Sequence, residues 1–518
     1  MPKIIPFLKK HLSAFLIFAA SLIMGLVVYS DYGIAWDEPL QHDIGLRSFN
    51  YVFRGDTTLN DFKNRDYGVA VELPLILLEK TFGMKDSRTI YLMRHLTTHL
   101  FFLFSAFAFY LLIWILYRNK TLAITGYLML LISPRIFAHS FFNSKDIPFM
   151  CMFIFCFLAC AIAFRDKKIR DFILFGILSG LLIDIRIMGI VIPALVTTLV
   201  AIDMVRGPHR KELLIRYLVY LVVTVAVLIL AWPWLWKDPA GHFRIAFSDM
   251  SKFRWDNNIL FNGDFIKASK IGWEYLPQWF GLTTPVVYLL LGITGFIFLI
   301  IRFFQRPLSF IGETNHRNQM IYLLCFTGPV ISVITLHSVL YDGWRQMYFI
   351  YPSFLLIAIY GLFSLLNARF FSGDLPKFIV SVLLIFSMAG TGLTMMISHP
   401  FEDIYFNILL SKKPQYLRRT YELDYWGTSY RQALEYIVAH DRSPLVKIRV
   451  ANLAGEHNLY ILKPEDRKRI QYYYRDDQAD YFITNYRWHP LDYSYPKEKK
   501  IFFIKVQNSE ICSAWKLH

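Results

Sequence analysis

Immediately after the first apolar run, Asp31, Asp37, Glu38, His42 and Asp43 fall within thirteen positions of one another. A carboxylate at such a mouth can take the proton from an incoming hydroxyl, with partial burial raising its pKa toward the working range. It can equally solvate a helix end or pair with Arg and Lys of the same loop. A second group, Arg135, His139, Lys145 and Asp146, brackets the turn in "SPRIFAHSFFNSKDIPFM". There a cation beside an acid can meet a phosphate while the acid handles a hydroxyl or a sugar ring, or the pair can simply seal the turn. The third group is Tyr341, Asp342, Trp344 and Arg345 in "LYDGWRQMYFIYP", with Arg345 at the start of an apolar run. A guanidinium at that depth suits a lipid-borne phosphate, because it stays charged when dehydrated and can make paired hydrogen bonds, or it can snorkel to the surface. His95 and His99 are four apart on one helical run, a spacing that permits a metal pair, but no HExxH accompanies them. GxxxxGK[ST] and GxGxxG motifs are absent.

The elements that must position these groups are membrane helices. The chain has 518 residues, 55% of them hydrophobic and 18% charged, with 46 Phe, 31 Tyr and 12 Trp, far more apolar surface than a soluble globule of this length needs. Runs of about 20 apolar residues are required to cross the hydrocarbon core. Candidate spans are 12–30, 90–116, 121–138, 147–164, 171–183, 187–204, 213–232, 284–303, 319–337, 347–367 and 377–397, eleven crossings in all. The basic N-terminus precedes the first span with no convincing cleavage site, so that span is expected to be retained.

The formal charge of +16 resides mostly in short loops: Lys3, Lys9 and Lys10; Arg118 and Lys120; "RDKKIR" (165–170); "RGPHRK" (206–211); Arg302, Arg306 and Arg317; Arg369 and Lys377. Such placement makes these residues orientation signals rather than a nucleic-acid surface, and puts them in the cytoplasm. The alternation holds only if 171–204 makes two passes, as a short hairpin with Asp184 and Arg186 at its outer turn. The outer regions are then 31–89, 139–146, 233–283, 338–346 and everything after about 398. Within 31–89, "YGVAVELPLILLEK" (67–80) reads as interfacial helix, and Trp232, Trp234, Trp236, Trp255, Trp273 and Trp279 form an aromatic belt around 233–283. Beyond residue 397 a small α/β domain is expected, with a helix over 428–440 and strands in "VKIRVAN", "ADYFITNY" and "KIFFIKV". Cys151, Cys156, Cys160, Cys325 and Cys512 form no disulfide framework or CxxC knuckle.

Taken in order, the Asp37-Glu38 pair, "FFNSKDIPF", "GLLIDIR", "YLPQWFGLTTP", "YDGWRQ", "HPFEDIYFN" and "ELDYWGTSY" resemble the polytopic glycosyltransferases of the C-type fold. Over most of residues 20–435 the chain is similar to bacterial relatives of protein O-mannosyltransferases and aminoarabinose transferases (glycosyltransferase family 39-like). The resemblance implies a multi-pass α-helical enzyme of a bacterial inner membrane. Its N-terminus is cytoplasmic and its C-terminal domain, 398–518, is periplasmic. It implies transfer of a sugar from a polyprenyl-phosphate donor to an acceptor hydroxyl on a glycan, lipid or protein, with inversion at the anomeric carbon and no metal or other cofactor. Carried onto this chain, Asp37 is the first-loop acid, Glu38 its neighbour and Asp146 the second-loop acid. Arg345, with Lys145 or Arg135, would steady the donor phosphate, with Asp37 across the cavity from Arg345. His42, Arg186, Trp279, Tyr341 and Asp342 are expected to line the substrate. The rival readings are a transporter or flippase of lipid-linked sugars, which would place charges along a path through the spans, and a non-catalytic scaffold for envelope proteins. The last 80 residues carry no such resemblance, and the repeat domain of eukaryotic protein mannosyltransferases is absent.

Overall fold

The computed structural model describes residues 9–206, 210–251, 255–312, 314–368, 373–410 and 412–518. Of the orientation residues named above, Lys3, Gly207–His209 and Arg369 lie outside this set. Among the described residues, eight helices are long and apolar enough to cross a membrane. They are Ser87–Tyr117, Asp146–Asp166, Ile187–Val205, Arg210–Ala231, Val286–Gln305, Arg317–Thr335, Arg345–Leu366 and Asp374–Ser398. A bent pair, Lys120–Leu131 and Pro134–Phe142, broken by 62°, has the geometry of either a broken ninth span or a re-entrant loop. The chain is a multi-pass α-helical membrane protein, and its outer apolar belt includes Leu16, Ile23, Val222, Leu230, Phe304 and Phe386, all exposed.

Of the eleven expected crossings, the others differ from these eight in length or continuity. The regions at 12–30 and 171–183 fold as helices of 17 residues each, Leu12–Val28 and Ile169–Ile185, at the lower end of the length a crossing takes. The expected straight span 121–138 is broken at Ser133, where Pro134 starts a new helix by occupying a position whose N–H needs no partner. The expected outer turn 139–146 is consequently in large part helix, ending at Phe142.

The 171–204 region breaks at Arg186, which has extended backbone (φ −152, ψ 132) between Ile169–Ile185 and the following helix. Gly176 lies against Tyr220 and Val223, and Gly180 against Thr224 and Val227. The two registers advance together, so Ile169–Ile185 and Arg210–Ala231 run parallel and Val191–Arg206 must return between them.

The segment expected to be loop from 31 onward also holds a helix that hydropathy hides. Glu38–Arg54 begins at Asp37, has Pro39 in its first turn and ends at Gly55, whose φ of 69 supplies the left-handed cap. Asp37 therefore starts a second helix and does not close the first. The interfacial segment is present as Glu72–Thr81.

Preceding that helix, Gly68 is fixed by close approach. A Cβ there would lie 1.7 Å from the Asp184 carbonyl oxygen and 1.9 Å from Oδ1, the oxygen that accepts the Val69 N–H at 2.8 Å. Gly68→Ala is expected to destabilise the protein by about 1–3 kcal/mol through overpacking, read as a lower midpoint of thermal unfolding.

After Ser398 the chain leaves the helical layer and forms a β-rich domain. Its sheet runs in the order Ile470–Tyr472, Val446–Val450, Tyr481–Thr484, Ser509–Lys516, Lys500–Val506. The first three strands are parallel and the last two pairings antiparallel. Tyr430–His440 packs on it through Ala433, Leu434 and Ile437 against Val446, Ile448 and Ile483. The domain seats on the helical layer where Tyr425 and Trp426 cluster with Tyr32, Phe137, Phe141 and Phe142. A two-stranded ribbon, Asn258–Phe261 with Asp264–Lys267, turns at Asn262-Gly263 (φ 55 and 92) and bridges to Tyr421.

Candidate active site

Four helix ends and one turn of the C-terminal domain meet at a single charged cluster. Asp37 is at the N-cap of Glu38–Arg54, yet its carboxylate caps no backbone N–H. Its Oδ2 instead lies 3.3 Å from Arg345 Nη2, and the side chain is 35% exposed. Glu38 turns the other way: it is buried, accepts the Ala35 N–H at 2.8 Å and meets His95 Nε2 at 3.0 Å. The adjacent acids thus do different work, Glu38 fixing the turn that presents Asp37.

Asp146 opens the Asp146–Asp166 helix, where a negative charge is favoured by the helix dipole. Asn143 locks it from both sides, accepting the Asp146 N–H at 2.8 Å and donating to Oδ2 at 3.0 Å. Asp146 pairs with Arg345 Nη1 at 3.2 Å and closely with Arg186, whose extended backbone aims its side chain there.

Arg345 is the hub. It leads the Arg345–Ile350 turn, is buried, and touches three carboxylates, the third being Asp342 at 3.4 Å, while the Trp426 ring lies 4.5 Å from its guanidinium. Asp342 and Gly343, at φ 54 and 72, make the left-handed turn that brings acid and base together. Arg487, from the C-terminal domain, holds the other Asp342 oxygen at 2.8 Å. Burial pushes the Asp342 carboxyl above the usual range, opposed by Arg487 and Arg345. Three carboxylates and three guanidiniums balance one another in this network.

Lys145 is left over. Its ammonium sits 3.4 Å from the centre of the Tyr67 ring, with no carboxylate in ion-pair reach among the described residues. Burial, aided by Arg186, pulls its pKa down to about 7. Such an amine is charged below neutral pH and gains from an anionic ligand. A phosphodiester keeps its single negative charge throughout, so its affinity is expected to fall as pH rises through 7 and Lys145 loses its proton. Lys145→Arg is expected to flatten that profile, as checked by binding of a polyprenyl-phosphate sugar between pH 6 and 9.

The expected arrangement is corrected at several points. Asp37 is not across a cavity from Arg345 but in contact with it, because a buried guanidinium draws every carboxylate its turn can reach. His42 pairs with Glu79 at 2.7 Å, away from the cluster. Arg135 donates to the Tyr405 carbonyl at 3.1 Å and packs between Trp279 and Phe406, so it braces the tail. Trp279 is buried against Phe406 and Tyr421 and lines no open surface. His95 and His99 diverge, the latter bonding Ser140 Oγ at 2.8 Å and stacking on Phe141. Tyr341 flanks Arg345 at 5.0 Å and stacks on Trp255. Arg487, Tyr67 and Trp488 were not anticipated. Arg487 sits in "TNYRWHP", a turn whose only outward signal is its density of aromatic and basic residues.

The profile of the dolichyl-phosphate-mannose-protein mannosyltransferase family matches residues 84–236. That stretch contains Lys145, Asp146 and Arg186 but neither Asp37 nor Arg345. Archaeal oligosaccharyltransferase AglB from Archaeoglobus fulgidus, solved with an inhibitory peptide and a dolichol-phosphate, superposes with a TM-score of 0.51 at 10% identity, covering 92% of this chain and 70% of that one. The fold is shared. The apo form of the oligosaccharyltransferase from the same organism gives 0.51 at 10% identity over 91% of this chain and 65% of its own. The arabinofuranosyltransferase AftD from Mycobacteria gives 0.46 at 13% identity, over 96% of this chain and 40% of that one. No curated protein matches the sequence.

Proposed function

We propose that the chain is a glycosyltransferase that moves a sugar from a polyprenyl-phosphate carrier to an acceptor hydroxyl on the non-cytoplasmic side of a bacterial inner membrane. The observation that carries this reading is a partly exposed Asp37 carboxylate, held by Arg345, beside a partly buried Lys145 that has no carboxylate in ion-pair reach among the described residues. Asp37 takes the hydroxyl proton as the acceptor oxygen bonds to the anomeric carbon. The bond from that carbon to the phosphate oxygen breaks, and its electron pair leaves with the polyprenyl phosphate. Lys145 steadies the developing charge. Arg345, already engaged by three acids, holds Asp37 and Asp146 in place rather than receiving the phosphate alone. A single displacement of this kind inverts the anomeric configuration.

Three observations support the reading. The archaeal enzyme of the same fold was solved with a dolichol-phosphate, a polyprenol phosphate of the class proposed here. The matching family profile is that of enzymes using dolichyl-phosphate mannose, in line with kinship to protein O-mannosyltransferases. The Asp146–Asp166 helix starts in the cluster and ends at the basic "RDKK" loop, which favours a cytoplasmic far end and a periplasmic site and C-terminal domain. A glycan, a lipid or a protein each offers the acceptor hydroxyl.

The test incubates the purified full chain in lipid nanodiscs with polyprenyl-phosphate mannose, glucose and aminoarabinose, each with a methyl glycoside, a lipid or a threonine peptide supplying the acceptor hydroxyl. Release of free polyprenyl phosphate from at least one donor is expected. Donors that move between leaflets uncleaved would mark a flippase and overturn the reading.

A further inference from the structure

We infer that Trp488 of the C-terminal domain and Trp36 form an aromatic shelf that seats the sugar ring of a saccharide acceptor beside Asp37. This rests on the proposed sugar transfer and names its acceptor class.

The shelf is built by a strained corner. Tyr486 and Trp488 have φ of 59 and 61, a backbone region that bulky L-residues rarely adopt and that persists only where surroundings impose it. Here they do. Thr484 Oγ1 accepts the Tyr486 N–H at 2.9 Å, Asn485 Oδ1 accepts the Arg487 N–H at 3.3 Å, and the Tyr486 hydroxyl donates to Ser513 Oγ at 2.8 Å. The alternation sends Arg487 inward to Asp342 and leaves Trp488 outward, 41% exposed.

Trp488 comes to rest on the residue before the proposed base. Its ring centre lies 5.8 Å from that of Trp36 at 78°, and the Arg487 guanidinium packs over both rings, 5.1 Å from Trp36 and 4.8 Å from Trp488. On the other flank the His457 ring stands 6.3 Å from Trp36. The Trp36 backbone is fixed by its amide N–H, which donates to the Trp426 carbonyl at 3.0 Å. Two indoles set nearly at right angles, the outer one 41% exposed and the inner one adjoining a partly exposed carboxylate, match a pyranose: its C–H face packs on the exposed ring while its edge hydroxyls meet polar groups. A membrane anchor would need no such register with the acid, and a backbone-reading peptide site would offer an open strand edge, which this corner does not.

The test is equilibrium binding by saturation-transfer NMR on the full chain in nanodiscs. The probes are methyl β-D-glucopyranoside, methyl α-D-mannopyranoside and a threonine tripeptide, with polyprenyl phosphate titrated separately. At least one glycoside is expected to bind, with Kd rising about 10-fold or more in Trp488→Ala and staying near wild type in Trp488→Phe, which keeps a ring at this exposed position. Glycoside binding unchanged in Trp488→Ala, no glycoside binding, or Trp488-dependent binding of the tripeptide alone would overturn the shelf. Failure of polyprenyl phosphate to bind the wild type would instead count against the donor, whatever the glycosides do.

Discussion

Asp37→Asn is expected to lower kcat for sugar transfer by about 10²–10⁴-fold, the usual contribution of a positioned general base, while donor binding stays within about twofold, since the loss falls on a group used in the transition state. The isosteric amide keeps the shape of the turn but cannot accept the proton. Asp37 is suited to this role because the other acids are committed. Glu38 is tied to His95 and the Ala35 N–H, Asp146 to Arg186, Arg345 and Asn143, and Asp342 to two guanidiniums. Among the described residues Asp37 has one ionic partner, and its side chain is 35% exposed. The rate of carrier phosphate release by the two proteins checks the prediction. Equal rates would remove Asp37 from the chemistry.

Arg345→Met is expected to cost about 3–5 kcal/mol of stability, as removal of one partner from a buried ion network leaves charge uncompensated. Asp37, Asp146 and Asp342 would face one another with only Arg186 and Arg487 remaining. The loss should appear as a lower thermal midpoint in nanodiscs and be partly recovered by adding Asp342→Asn, which removes one of the stranded charges. A midpoint unchanged from wild type would mean that Arg345 does not organise the cluster.

Much of this site was legible because its parts occupy helix ends, where hydropathy changes abruptly. Asp37, Asp146, Arg186 and Arg345 each flank an apolar run, and the charges of 171–204 announced the break at Arg186. Their pairing was not legible, because which carboxylate a guanidinium meets depends on how segments as far apart in the chain as Asp37 and Arg345 pack. Arg487 was hidden for the same reason, lying 145 positions from Asp342. Glu38–Arg54 was missed because its stripe is too polar to register as a span, although Pro39 and Gly55 bracket it. The ribbon at 258–267 was missed although Asn262-Gly263 is a hairpin-turn signal, because its two strands have only four residues each. In the C-terminal domain the strands at 446, 481 and 500 were legible from β-branched and aromatic runs. Ile470–Tyr472 has only three residues, and Ser509–Lys516 mixes Ser, Glu and Cys with its apolar positions.

The central claim is that a lipid-borne phosphate sits at Lys145 with Asp37 on the far side of the transferred sugar. The most direct measurement is a cryo-EM structure of the full chain in nanodiscs with bound polyprenyl phosphate. The account predicts phosphate density within ionic contact of the Lys145 ammonium, about 4 Å, and on the same side of the helical layer as Arg487. Phosphate seated at the opposite ends of the spans, or beside the cluster but out of reach of Lys145, would contradict it.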